Sequence, residues 1–566
     1  MALFLYAIGN NSFVLSRFRG GFVGAAAAVL IAAQTPAPLG HISFPTSGAP
    51  AAQPSFIRGV LLLHSFEYDD AIAAFREAQR IDPAFALAYW GEAMCFNQTL
   101  WENEDPAKGR LALRKLAPTP AARQAKAPTP REKGYLDAVE KLYAEAGGGT
   151  SPPAQRQKYE KATRDRAYAD RMGELSKQFP QDDEAAAFYA LALLGTLDPN
   201  ARDTAVSLKA GEIALAVLKR NPQHPGAAHY ALHAFDDGEH AAMGLEAARI
   251  YAKIAPASSH ARHMPSHVFL PLGMWDEAAA SDEASFAVSV ERVKRLGLSM
   301  AQADFHSLAW LQYEYLQQGR FLKARESMKT VESSLKSQVS SLKTVEPHGH
   351  AESEIGRGFS PLSLESELAS MRARLVVDGG VWDEMKGKSA FGNVDELLAL
   401  GIASVKLGDI PRARAAYENL KTARDKAPDD TNRQLAQIMM AEVAGLIQLA
   451  QGSKKGGLAS LADGARIEAT MPRPIARPYP VKPAQELYGE ALLESGDAVK
   501  AIAQFQAALR RTPRRAAALL GLARAQQKAD LLQDARGTAR AFIGIWHLAD
   551  QARPELAEAR RIAAQK

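Results

Sequence analysis

Only one cysteine, Cys95, occurs in the 566 residues, so no disulfide can form within the chain. Alternating apolar and polar runs, which mark half-buried strands, are scarce. The formal charge is only +5 and the basic residues are scattered, which argues against nucleic acid as a partner. Familiar catalytic signatures are missing too. There is no H-E-x-x-H, no glycine-rich phosphate loop, no Ser–His–Asp signature and no nucleophile elbow.

What is there favours helix. Apolar residues make up 47% and charged residues 23%, and alanine-rich stretches such as "EAAAFYALALL" and "RRAAALLGLARAQ" recur. Alanine loses no side-chain entropy in a helix, so the chain reads as all-α. The N-terminus has a different layout. Arg17 and Arg19 precede "GGFVGAAAAVLIAA" and then "QTPAP", the order of a secretory signal: basic flank, short apolar run, small residues at the exit. Residues 1–33 are therefore expected to be a signal peptide, with an uncleaved anchor helix as the alternative. The run is short for a membrane span. No stable span is expected after cleavage, and the mature protein is expected to be exported, into a bacterial periplasm.

Residues 34–54 are rich in Pro, Ala and Ser and read as a linker. Beyond them a pattern repeats. Ala71, Phe75, Ala78 and Pro83 are followed by Ala210, Ala214, Val217 and Pro222, and then by Gly244, Ala248, Tyr251 and Pro256 one step of 34 later. Gly273, Trp275 and Ala278, then Gly319, Phe321 and Ala324, continue the frame, and Gly496, Ala501, Phe505, Ala508 and Pro513 restate it near the end. Tyr168, Met172, Leu175 and Pro180 share the spacing, with a tyrosine where a small residue belongs. Small residues suit the place where two helices cross closely, large ones fill the groove one turn on, and proline ends the second helix. This frame resembles the tetratricopeptide repeat, a 34-residue helix–turn–helix unit. The resemblance implies an all-α solenoid, a right-handed superhelix that binds a protein or peptide on its concave face.

Insertions interrupt the frame. "APTPAARQAKAPTP" and "AGGGTSPPAQ", within 116–160, read as loops, and "MPRPIARPYPVKP" at 471–483 must be extended or kinked. The expected organisation is an N-terminal superhelix over 55–345, a loop at 346–362 and a C-terminal superhelix over 363–566.

Seven of the 13 histidines lie between 224 and 267. His229 and His263 stand 34 residues apart, as do His233 and His267. Each helix thus carries an i, i+4 pair on one face. The resemblance implies that these positions face the groove. Neighbouring helices pack about 8–10 Å apart, so the four imidazoles are expected to meet in one coordination sphere. His260 and His306 add to them from the second position of their own repeats. Asp236 and Asp237 follow one turn beyond His233 as further ligands or as partners of a ring, and Asp237 is included among the expected ligands. Pro265 must start or kink its helix, splaying His260 and His263 away from His267, while Met264 reads as core filler.

Imidazole suits zinc, copper, iron and nickel, manganese completes the transition metals expected, and nothing in the spacing selects one. Three readings stay open: a metal site, a histidine-lined groove for a partner, and buried histidines that hold the repeats in register. A metal-dependent enzyme using the same cluster, with Asp236 or Asp237 as base, is the alternative from another class. The block "HARHMPSH" is similar to that of a group of exported bacterial repeat proteins, a resemblance that implies no activity.

Overall fold

The computed structural model describes residues 38–566 apart from 102, 145–152, 199–202, 345–360, 388–391, 475–476, 552 and 566. The expected signal peptide, most of the loop at 346–362 and the glycine-rich part of the first insertion lie outside the described residues.

Antiparallel helix pairs follow one another along the chain, each packed on the next. Among the described residues the strands amount to one two-stranded hairpin, Asn97–Gln98 with Asn103–Glu104. The packing rule is clearest at Phe75, on helix Tyr68–Ile81. A Cβ on Gly59, sixteen residues before it, would come within 2.7 Å of its ring, and one on Gly91, sixteen residues after it, within 2.3 Å. The same arrangement returns at the far end. A Cβ on Gly489 would lie 3.1 Å and one on Gly521 2.4 Å from the ring of Phe505. Each phenylalanine is thus clamped between the first helices of two successive repeats, which gives the register its physical cause. Burying such a ring contributes about 1.5–3 kcal/mol. The fold is all-α, built of stacked tetratricopeptide-like helix pairs. Tyr168, Met172 and Leu175 are buried like the other copies, so the tyrosine is accommodated.

Two sequence expectations change. "APTPAARQAKAPTP" is not a loop. Thr119 and Thr129 cap helices Pro120–Lys126 and Pro130–Leu142, each accepting from a backbone N–H of the first turn, with proline at the first position. Thr-Pro marks a helix start as readily as a turn, because that N–H has no helical partner to lose. The described part of the linker is extended but packed down. Leu39, Ile42 and Phe44 are buried, the His41 N–H donates to the Gln223 carbonyl at 2.9 Å, and the Arg131 guanidinium lies 4.5 Å over the Phe44 ring.

The repeats stack without a break between the expected superhelices, since helix Pro361–Gly379 packs on both Phe305–Gln317 and Phe321–Thr344. The C-terminal repeats also return onto the middle of the chain. Trp275 Nε1 donates to the Arg514 carbonyl at 3.0 Å, and Trp546 Nε1 to the Gln317 carbonyl at 2.9 Å. Gly273 holds φ 66°, and a Cβ there would strike the Pro513 carbonyl at 2.6 Å, so only glycine lets these turns meet. The proline-rich 471–483 segment contains no helix where it is described, and it crosses back inside. Arg473 reaches the Gly238 carbonyl at 3.0 Å, and Arg477 the Ala309 carbonyl at 3.2 Å. Among the described residues no helix is long and apolar enough to cross a membrane.

Candidate metal centre

Helix Pro225–Ala234 presents His229 and His233, and the next repeat presents His260, His263 and His267 from the short helices Ser259–His263 and Ser266–Phe269. Pro265 interrupts the hydrogen-bond ladder between those two short helices, yet Met264 and Pro265 keep right-handed helical angles. His263 and His267 therefore stay on one face across the break, with Nε2 atoms 3.0 Å apart, and are not splayed.

The histidines do not share one coordination sphere. They divide into two triads, His229–His233–His260 and His263–His267–His306, and within each triad one ligand atom per ring lies within 4.8 Å of the others. In the first, His229 Nε2 stands 3.0 Å from His233 Nε2 and 2.9 Å from His260 Nε2. In the second, His306 from helix Phe305–Gln317 closes on His263, ring centroids 4.9 Å apart. Asp237 joins neither triad. It caps the turn, accepting from the Glu239 and His240 N–H groups, and faces His240 Nδ1 at 2.9 Å. One residue earlier the chain points elsewhere, and Asp236 Oδ2 lies 2.7 Å from His267 Nδ1.

These outer contacts decide the tautomers. His229 Nδ1 faces the His64 carbonyl at 2.6 Å. A carbonyl only accepts, so the proton sits on Nδ1 and the Nε2 lone pair points into the triad. His267 is set the same way by Asp236, while His263 Nδ1 faces Asp282 Oδ1 at 2.6 Å, a contact that orients the ring whichever of the two carries the proton. This is the arrangement in which metal-bound imidazoles are oriented and made more basic. Burial holds the His263 imidazolium down to about 3, helped by the neighbouring His267, and His306 is held to about 3 by burial and by His263. Both rings are thus neutral, the state that can ligate. Behind them burial pushes the Asp282 and Glu314 carboxyls well above the usual range, reinforced by Asp304 for the first and by Asp282 for the second.

Aromatic rings fix the walls. Tyr251 stacks on His229 at 5.1 Å and Trp310 on His267 at 4.3 Å. Phe66, between the first two helices, meets His229 at 4.3 Å and stacks on His260 at 5.5 Å. Its φ of 56° lies in the left-handed region, which costs a non-glycine residue about 1–3 kcal/mol. A cavity of about 410 Å³ opens beside the triads, lined by His233, His260, His263, His267 and His306 together with Trp101, Met264 and Asp304. Met264, expected as core filler, is fully buried and also lines this cavity.

A third cluster differs. His64, Glu184 and His224 are fully buried. His64 Nδ1 meets the Tyr230 hydroxyl at 2.8 Å and its Nε2 meets Glu184 Oε2 at 2.7 Å, while His224 Nδ1 accepts from the Ala227 N–H. Burial keeps His64 below its ordinary pKa, against the pull of Glu184. Burial also opposes the Glu184 charge, but the two imidazoles outweigh it and hold that carboxyl well below the usual range. His224 Nε2 stands 3.2 Å from Glu184 Oε1 without a hydrogen bond, and the His64 carbonyl stands behind His229. The residues unforeseen from sequence are Phe66, Asp282, Glu314, Trp310 and Glu184, while His64, which reads from sequence as a packed and satisfied histidine, is bonded at both nitrogens. Phe66 and Asp282 lie in a different helix or turn from the histidines they touch, so no local spacing signals them, whereas Trp310 follows His306 at i, i+4 on one helix, a spacing that could have found it.

Fold and site together define an all-α helical-repeat protein with a histidine-rich centre in its interior. Neither a protein-family model nor a curated protein matches the chain. Among solved structures it is similar to yeast Tom70, at 10% identity and TM-score 0.30, covering 84% of this chain and 88% of that one. It is also similar to the P58(IPK) TPR domain, at 13% identity and TM-score 0.22 over 85% of this chain and 99% of that one. Human IFIT1 in its dimer with m7Gppp-AAAA matches at 12% identity and TM-score 0.32, over 93% and 92% of the two chains. At these scores the fold assignment stands on the helix-pair geometry itself.

Proposed function

We propose that this chain is an exported metal-binding protein that holds a transition-metal ion at each histidine triad and acts on a small molecule in the adjoining cavity. The observation that carries the reading is the convergence of Nε2 atoms, with His229, His263 and His267 oriented from behind at Nδ1. Three imidazoles with a position left open are the ligand set of a catalytic ion, whereas a structural ion is fully enclosed by protein ligands. A cavity beside the open position is what an enzyme needs and a plain scaffold lacks, so a metal-dependent enzyme is favoured over a groove that only binds. Export rests on the basic flank and apolar run at the N-terminus.

A peptide lying over the histidines finds less support, because Phe66 of the chain itself covers His229, His233 and His260. Partner binding elsewhere along the superhelix is a second proposal, supported by the repeat architecture. The test is elemental analysis of the protein purified from its native host without an affinity tag or chelator. Copper, zinc, nickel, iron or manganese at stoichiometric level, lost in a His229→Ala/His263→Ala double variant, supports the reading. Absence of metal, with no shift in melting on adding any of these ions, overturns it.

A further inference from the structure

The two triads touch. His260 and His263 lie one turn apart on the same five-residue helix yet belong to different triads, with ring centroids 6.4 Å apart. His233 and His267 also approach across the boundary at 6.4 Å, and His267 and His306 stand at the same 6.4 Å inside one triad. The boundary between the triads is thus no wider than the spacing within one of them. Both open onto the same cavity, which takes His233 and His260 from one and His263, His267 and His306 from the other.

Charge adds a second line. All six ligands are imidazoles, and a ligating imidazole is neutral. Two divalent ions would therefore bring to this cavity a charge that the ligand set does not offset, and of the cavity's other lining residues only Asp304 is acidic, on a wall that also carries Arg292. The acids that orient the rings, Asp236 and Asp282, face the Nδ1 atoms and not the Nε2 atoms where the ions would sit. Such a site draws an anion from the cavity side, and a pair of ions favours one that binds both.

We infer that the two triads form a single binuclear centre, whose two metal ions share one small anionic oxygen ligand from the cavity, hydroxide in the resting protein. This rests on the reading that each triad binds a metal. It adds that neither ion works alone. A molecule processed here would replace or meet that shared ligand through an oxygen of its own.

The test loads the full chain with copper(II), with copper per chain measured by elemental analysis and the unpaired spins by electron paramagnetic resonance. Two coppers per chain with most of the spin signal missing is the expected result, because a shared oxygen couples the two spins. In His306→Ala, and separately in His233→Ala, one copper should remain with its full signal regained. Both residues are less buried than His229 and His263, so these are the milder changes. Two coppers with the full signal of two independent ions would overturn the binuclear inference and leave the metal reading standing. Failure to bind any copper would overturn both.

Discussion

His263 Nε2 stands 3.0 Å from His267 Nε2, and behind each ring a carboxyl oxygen faces Nδ1: Asp282 at 2.6 Å and Asp236 at 2.7 Å. Asp236 accepts at His267 Nδ1, so the proton of that ring sits there and its Nε2 lone pair faces the His263 ring, where a cation can take it. Asp236 should therefore tune the second triad without touching the ion. Asp236→Ala is expected to weaken metal binding there about 10–100-fold, the usual effect of losing a carboxylate behind a ligating histidine. Competition with a chromophoric chelator would measure it. Unchanged affinity would mean that Asp236 serves the fold alone.

Acid should undo the metal-free protein through these same rings. His263 and His306 are held to about 3 in the folded chain, against an ordinary 6.5. Below 6.5 the unfolded chain takes up protons that the folded chain refuses. Stability is therefore complete above that pH and falls as pH drops toward 3. At about pH 5 the loss from His263 alone is on the order of 2 kcal/mol. Thermal melts of the metal-free protein across this window should show the fall, and His263→Gln should flatten it. A melting temperature indifferent to pH would contradict the neutral, buried ring.

Much of the architecture was open to sequence reasoning, and the reason is local. Phe75 and Phe505 sit in the same frame of small residues, so the repeat could be read from either. The pairs His229 with His233 and His263 with His267 were legible for the same cause, since i, i+4 spacing sets a face. Their division into two triads was not. It depends on His260 crossing to the earlier helix and on His306 arriving from the next repeat. Asp236 and Asp237 are neighbours whose side chains leave a turn in different directions, and spacing alone could not choose between them. The Thr-Pro pairs were misread because one dipeptide serves both a turn and a helix start.

The cluster behind His229 leaves no spare room. A Cβ on Gly226 would stand 2.2 Å from His64 Nδ1. Gly226→Ala must displace the imidazole and break its bond to Tyr230. In a helix, alanine would ordinarily gain about 1 kcal/mol over glycine. Overpacking of a filled core costs about 1–3 kcal/mol, so the net effect is expected to be destabilising. Denaturant unfolding would show it, along with weaker metal retention at the first triad. A stabilised variant would mean that the ring can yield.

Arg515 ties the returning C-terminal repeats to the middle of the chain. It is fully buried, and donates to Glu486 Oε2 at 2.8 Å and Asp378 Oδ1 at 2.5 Å. Removing it strands the Asp378 carboxyl, while Glu486 keeps Lys482 at 2.7 Å, so Arg515→Ala should cost about 3–5 kcal/mol. If the buried charge is the cause, adding Asp378→Asn to that variant should recover part of the loss. Equal melting temperatures for the single and double variants would locate the cost in lost packing instead.

Phe66 offers the sharpest separation of strain from site. Its backbone is strained at φ 56°, and its ring contacts His229, His233 and His260. Phe66→Gly relieves the backbone and deletes the ring, while Phe66→Leu keeps the strain and part of the bulk. If the strain is tolerated only to place that ring, the glycine variant should lose metal affinity at the first triad and leave the second unchanged. The leucine variant should lie between it and the natural protein in affinity. Relief of about 1 kcal/mol of strain is small against the roughly 3–5 kcal/mol cost of emptying a buried phenylalanine site, so the glycine variant should also melt lower. Chelator competition and melting, measured together on both variants, test this. A glycine variant with unchanged affinity would reduce Phe66 to ordinary packing.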